Sequence, residues 1–353
     1  MLFPEPLIPL FVQRAFDVSI QTAVAVSGGF SGAAVFRATT HDGRELAVRR
    51  TPTSIALPSG RLSELHHLLR EISRRGCNAI AVPMLAINAT PSPAESWLKY
   101  YEYVWQMEPW MPGASMTGQE MMSLHLSAAL AALDQFHRLA AESVDAVSLS
   151  EWFWKAQRLS PAAQRRLHIT NDLSGGMLGT LRQKLSDDPD AHFRGLAIRV
   201  CDSLEKWLPW LQRELTEVAA MRFHLQPVLR DVWRAHVLFK DCAVTGLIDL
   251  TAAASDHVAL DVTRLVRSWY GADNGSIQMA INEFQRLRTF NANERRLLQA
   301  FDASTVLLSP VTWLRRRVES GEAAACSDDV IARLTELTDV AERFGPLVIG
   351  VWP

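Results

Sequence analysis

Residues 225–249, LQPVLRDVWRAHVLFKDCAVTGLID, constrain this chain more than any other stretch. A short apolar strand runs into a polar loop centred on Asp231, returns as a second strand, and turns into a third that ends on Asp249. Neighbouring strands lie only ~5 Å apart, so a strand, a loop and a hairpin can fold two acids 18 residues apart back to one mouth. Paired carboxylates held in that way suit metal-assisted phosphoryl transfer.

The remainder of the chain is organised around that segment. With 353 residues, 48% of them hydrophobic, it can bury a substantial core and divide into two lobes. A formal charge of −2 provides no basic excess for nucleic acid or an anionic membrane, which leaves small molecules as the expected partners. Cys77, Cys201, Cys242 and Cys326 show no paired spacing, which argues against a zinc knuckle or disulfide framework and fits a reducing compartment. The amino-terminal stretch lacks a leading positive charge and no apolar run reaches ~20 residues, so the expected location is cytoplasmic.

Strands are expected at Ala23–Val26, Ala33–Thr39, Glu45–Arg49 and Tyr101–Met107. Between them, Leu62, Leu65, Leu68, Leu69 and Ile72 recur at helical spacing before a Gly76 stop. Beyond Trp110 the pattern turns helical. Leu126, Leu130, Leu133 and Phe136 mark one apolar face, residues 159–190 form a helical insertion interrupted by Pro161, Gly175 and Gly176, and residues 196–221 form a long helix. Asn291 and Glu294 are spaced as a capping box, and Asp328–Phe344 is periodic.

The 225–249 segment resembles the catalytic stretch of the aminoglycoside phosphotransferase and choline kinase group, which has a protein-kinase-like fold. Leu229, Arg230 and Asp231 stand where that group has His-Gly-Asp, His236 stands for its Asn, Val244–Asp249 matches its strand ending in Asp, and Asp261 begins the segment similar to its Asp-Leu-Ala helix. The resemblance implies a bilobal α+β fold, with a β-rich nucleotide-binding lobe over 1–108 and a helical lobe over 109–353 that carries the catalytic loop. It also implies transfer of the γ-phosphoryl group of ATP to a hydroxyl of a small-molecule acceptor, with Mg²⁺, or Mn²⁺ in its place.

Carried over position by position, the resemblance makes Asp231 the group that accepts or orients the hydroxyl proton and Asp249 the metal ligand; His236, in place of the amide, either changes the metal pattern as a second ligand or leaves one ion bound. Arg230 departs from the group's Gly: its cation beside Asp231 favours the ionised carboxylate, weakens it as a base and offers a phosphate contact, and Arg234 offers another. Gly28, Gly29, Phe30, Ser31 and Gly32 become the phosphate cover, since glycines let backbone N–H groups reach phosphate oxygens. Arg49 takes the place of the strand lysine, with Glu64 as its expected partner and Glu71 second, and Gln106, Met107 and Glu108 form the hinge that meets adenine.

Trp105, Trp110 and His137 read as packing residues. Asp256, Asp273 and Glu151, with Trp152, Trp154, Trp233 and Trp269, could form a cation-accepting pocket, but packing or solvent-facing positions account better for many of them. Two alternatives stand beside the enzyme. The departures at 229, 230, 236, 250 and 251 suit a nucleotide-binding pseudokinase or regulatory module, whereas His236, Asp231, Asp249 and His257 would compose a metallohydrolase cluster.

Overall fold

The computed structural model describes residues 7–26, 32–88, 95–116, 123–144, 150–320 and 328–347. In chain order the elements are α1 (Leu10–Ala15), β1 (Ile20–Val26), β2 (Ala34–Thr40), β3 (Glu45–Pro52), α2 (Ser59–Arg74), β4 (Leu98–Tyr100), β5 (Tyr103–Pro109), β6 (Ala114–Ser115) and α3 (Ser123–Ser143). There follow β7 (Ala156–Leu159), α4 (Pro161–Asp172), α5 (Leu178–Ser186), α6 (Ala191–Ala219), β8 (Arg222–Val228), β9 (Val237–Lys240), β10 (Ala243–Leu247) and β11 (Ala254–Asp256). Helices α7 (Ala259–Tyr270), α8 (Asn274–Phe284), α9 (Ala292–Ser320) and α10 (Asp328–Glu342) close the chain. The class is α+β, with a β-sheet amino-terminal region and a helical carboxy-terminal region, as the resemblance implies.

The chain forms two compact units. One comprises Met1–Glu120, Gln135–Trp154 and Ala235–Ala253, and the other Met121–Asp134, Lys155–Arg234 and Ala254–Pro353. In the first, an antiparallel sheet runs in the order β1-β2-β3-β5-β4. Period-two alternation sorts its side chains, as pleating requires. Leu46 and Val48 of β3 and Met107 of β5 join Ile8, Val12 and Phe16 around α1 in a buried cluster. Fully burying such a side chain contributes about 1.5–3 kcal/mol. Arg49 is registered with Gln106 and Ala47 with Glu108, so Arg49, Gln106 and Glu108 share the opposite face.

Helix α2 buries Leu62, Leu65, Leu68, Leu69 and Ile72, the stripe expected from spacing. Its stop is also where the sequence places it. Gly76 has φ +99°, and the Cys77 N–H reaches the Ile72 carbonyl at 3.3 Å, a left-handed helix end that glycine adopts without steric cost.

Elsewhere in this unit the β9–β10 hairpin pairs with β6. Gly113 leads into β6 with φ +97°, and a Cβ there would run into the Phe239 carbonyl oxygen and the Thr245 hydroxyl.

The second unit is built on α6, whose buried face includes Leu196, Val200, Leu204, Leu211 and Leu215 and packs against α4, α5, α9 and α10. Pro161 occupies the first turn of α4 behind the cap Ser160, and Gly176, at φ +118°, lies at the kink between α4 and α5. The capping box forms as read: the Glu294 N–H donates to Asn291 Oδ1 at 3.0 Å, and the Asn291 N–H donates to Glu294 Oε2 at 2.8 Å.

Strand β8 differs from the simple strand–loop–hairpin expectation. It pairs with β7 and β11, whereas β9 and β10 pair with each other and β6, so Asp231 and Asp249 follow strands of different sheets. Among the described residues no helix is long and apolar enough to cross a membrane.

Gly113→Ala should lower the unfolding free energy by about 2 kcal/mol or more, because it adds left-handed strain to a backbone clash. Urea denaturation measures this.

Candidate active site

The loop after β8 is anchored by a buried carboxylate. Leu229 and Arg230 each donate a backbone N–H to Asp261, both at 2.7 Å, and Asp261 is fully buried in the first turn of α7. This lets Arg230 hold a left-handed backbone at φ +66°. Asp231, 45% exposed, follows at once and is ion-paired with Arg264. Position 264 lies one helical turn beyond 261, so α7 sends an acid and a base to the same loop.

Arg264 is not among the site residues expected from the sequence. The i, i+3 spacing from Asp261 is the signal that could have found it. Arg234, expected as a phosphate contact, is turned elsewhere: its guanidinium donates to the Ser268 carbonyl at 2.6 Å and to Glu336 at 2.8 Å, and its N–H donates to the Ser268 hydroxyl. It ties the loop to α7 and α10.

In the other unit, Asp249 follows β10 with φ +57°, a strained conformation for a non-glycine residue. The Arg49 guanidinium from β3 donates to its Oδ1 at 2.9 Å, Thr251 Oγ1 donates to the same oxygen at 3.2 Å, and His236 Nε2 lies 3.9 Å from Oδ2. Burial opposes ionisation of Asp249, but Arg49, His236 and Thr251 outweigh it and hold the carboxyl below its usual range.

The expected Arg49–Glu64 pair is not the one formed. Glu64 accepts from the Ser150 hydroxyl, Glu71 pairs with Arg74, and Arg49 extends to Asp249. A guanidinium on this strand is long and planar enough to engage a carboxylate beyond its own sheet.

A cleft beside this pair is lined by Arg49, His66, Gln106, Glu108, Asp249 and Thr251. Of the three hinge residues, Gln106 bonds His66 Nε2 through Oε1 at 3.1 Å, and the Met107 carbonyl accepts from the Met84 N–H at 2.8 Å. The segment around Met84 therefore bonds the backbone of a residue expected at the hinge. His66 is further fixed by Ser96 at 2.7 Å. Burial, reinforced by Arg70, pushes its pKa down to about 4, so the ring is neutral.

Glu108 behaves oppositely. Burial pushes its pKa up to about 7, partly offset by Arg49 and aided by Asp249.

Gly28, Gly29, Phe30 and Ser31 lie outside the described residues. Gly32, the described member of that turn, has φ +76°, and a Cβ there would press on Ile55. Trp105 is buried in the sheet core, and Arg37 stacks over Trp110 with its guanidinium 5.0 Å from the ring centroid, in keeping with packing roles.

Several of the acids and tryptophans weighed for a cation-accepting pocket are packed or capping, the alternative the sequence favoured. Asp256 is fully buried, bonded to Ser160 and the Ala162 N–H, and Asp273 caps α8. Trp269 is buried and Arg333 stacks over Trp233. The metallohydrolase reading fails. Among the described residues no three or more His, Cys, Asp or Glu side chains gather to hold a metal, and His257 is buried against Glu294. Hydrogen bonds within each unit satisfied these groups, a pairing that spacing alone does not reveal.

The architecture is that of known small-molecule phosphotransferases. An aminoglycoside phosphotransferase from Alicyclobacillus acidocaldarius superposes with TM-score 0.62 at 18% identity, covering 96% of this chain and 93% of that one. A spectinomycin phosphotransferase in complex with ADP and spectinomycin gives 0.65 at 10% identity, covering 92% and 93%. A macrolide 2'-phosphotransferase from Brachybacterium faecium gives 0.54 at 18%, covering 92% and 96%. The sequence matches no curated protein. A family model matches residues 22–301, and the chain belongs to the phosphotransferase enzyme family.

Two outcomes test the local chemistry. Asp261→Ala strands two backbone donors and should cost about 2–4 kcal/mol by urea denaturation. The folded state also keeps the Glu108 proton up to about pH 7, whereas an ordinary glutamate releases it near 4.5. That contribution to stability is therefore full at acid pH and is lost as pH rises through 7. His66 has the opposite sign, since its lowered pKa costs stability as pH falls from 6.5 towards 4. Glu108→Gln isolates the first: its melting temperature relative to the parent should rise from about pH 5 to about pH 8.

Proposed function

We propose that this protein transfers the γ-phosphoryl group of ATP to a hydroxyl of a small-molecule acceptor. The observation that carries the reading is the Arg49–Asp249 pair. It joins a cation on the third strand of the sheet to an ionised carboxylate at the end of β10, in a chain whose family is phosphotransferase over residues 22–301. Relatives of the same fold supply a precedent for the donor, since the spectinomycin enzyme holds ADP and an amicoumacin kinase holds AMP-PNP.

In the reaction, the acceptor oxygen forms a bond to the γ-phosphorus as the bond from that phosphorus to the β–γ bridging oxygen breaks. ADP leaves with the electron pair, and the hydroxyl proton passes to Asp231. Arg264, already on Asp231, keeps that carboxylate oriented. Arg49 turns from Asp249 to the phosphates, where its fork grips two oxygens. Gly28–Gly32 cover them and Gln106–Glu108 border the base. Arg230 adds positive charge beside Asp231, and Arg234 holds the loop rather than touching phosphate.

A divalent ion fits Asp249. Mg²⁺ is held by one or two carboxylates, with phosphates and water completing its shell, and Asp249 presents an ionised oxygen with His236 beside it. Bound there, Mg²⁺ or Mn²⁺ would neutralise phosphate charge.

ATP with Mg²⁺ should raise the melting temperature, because a ligand of the folded state stabilises it by mass action. Asp249→Ala should lose the metal dependence of that rise. Asp231→Ala should keep the rise and lose phosphoryl transfer by roughly a hundredfold or more. No nucleotide stabilisation in the parent would contradict the proposal, and ATP stabilisation with no turnover of any acceptor would favour a nucleotide-binding module instead.

A further inference from the structure

The helical unit contains a second cleft beside Asp231. Its walls include Trp233, Arg264, Ser268, Ser309, Arg333 and Glu336. Trp233 lies two residues beyond Asp231, and Arg264 is the partner of Asp231, so a wall residue of the cleft touches the proposed proton acceptor.

Its charges do not balance. Arg264 is paired with Asp231, while Arg234 and Arg333 share Glu336. Arg264, Arg333 and the neighbouring Arg234 thus share two carboxylates. Arg267, also in the wall, is neutralised by buried Asp302 and further spent on Gly271 and Asn274.

Arg166 adds to the excess from behind, donating to the wall residue Thr305 at 3.2 Å. Burial, then the proximity of Arg264, lowers its pKa to about 9, and Asp256 offsets this only in part. Two donors in this cluster, Arg264 Nε and Arg166 Nη1, are buried with no hydrogen-bond partner. Unmet buried donors are costly, and the positive charge of these two guanidinium groups adds to the field that an anion in the cleft would meet. Arg333 is held ready, its guanidinium 4.6 Å from the Trp233 ring centroid. A cationic acceptor would meet only carboxylates that already have arginine partners.

Resting on the acceptor role of Asp231, we propose that this cleft selects a small hydroxy compound bearing a carboxylate or phosphate, bound by Arg264 and Arg333 against Trp233. The hydroxyl that accepts the phosphoryl group and the anion that locates it belong to one molecule.

The test uses the full chain with ATP and Mg²⁺ against D-glycerate, gluconate and glycerol phosphate, with glycerol and glucose as neutral counterparts and choline and kanamycin as cationic ones. Thermal shift and ADP release are both read. The anions should stabilise the protein and release ADP in preference to the others, with the glycerate and glycerol phosphate arms separating carboxylate from phosphate. Arg333→Gln should raise KM for the preferred anion roughly tenfold or more with kcat much less changed, and Arg333→Lys should recover part of it. An unaltered circular dichroism spectrum and ATP-induced shift certify the variant as folded.

Preference for a neutral or cationic acceptor, no response to any anion, or an anion response untouched by Arg333→Gln would overturn the inference. Turnover of a neutral or cationic acceptor would do so while leaving phosphoryl transfer standing. Anion binding lost in Arg333→Gln, in a parent that ATP does not stabilise, would support the anion cleft and sink phosphoryl transfer.

Discussion

The account depends on the carboxylate of Asp249 being held ionised by Arg49. A lone acid at 33% side-chain exposure, on a left-handed backbone, gains little from its position unless a cation offsets the partial loss of water. The β3 strand supplies that cation through alternation alone. Leu46 and Val48 fix one face in the core, so Arg49 must emerge on the other, in register with Gln106 and beside Glu108. Packing on one side of a sheet thereby sets the electrostatics of the other.

The loop of Asp231 obeys a different rule. Its backbone is satisfied by a buried acid on a helix, and the Asp231 side chain is paired with a cation one turn further along that helix. Removing either α7 residue would leave the β8 strand intact and the loop unspecified. Arg234 and Ser268 add a second tie, which explains why a residue expected to face phosphate serves as a strut.

What was legible in the sequence follows from the range of the forces involved. Helix α2, its Gly76 end and the Asn291 capping box are local patterns of apolar period and backbone donors, and they form where they were read. Strand β1 begins earlier than expected, at Ile20, across a register shift between Ile20 and Thr22 that interrupts the alternation a strand is recognised by. Long-range partners were hidden. Arg49 chose Asp249 over Glu64, β8 chose β7 and β11, and Met84 reached Met107, because each choice is made by residues tens to hundreds of positions away. Arg264 carried a readable signal in its spacing from Asp261, but no composition or motif marks a base for that task.

A structure determined with a non-hydrolysable ATP analogue and Mg²⁺ tests the central claim most directly. The account predicts the triphosphate beside Arg49, with the guanidinium on phosphate oxygens and the ion on Asp249. Finding the analogue bound elsewhere, with Arg49 still on Asp249 and no ion at that carboxylate, would contradict it.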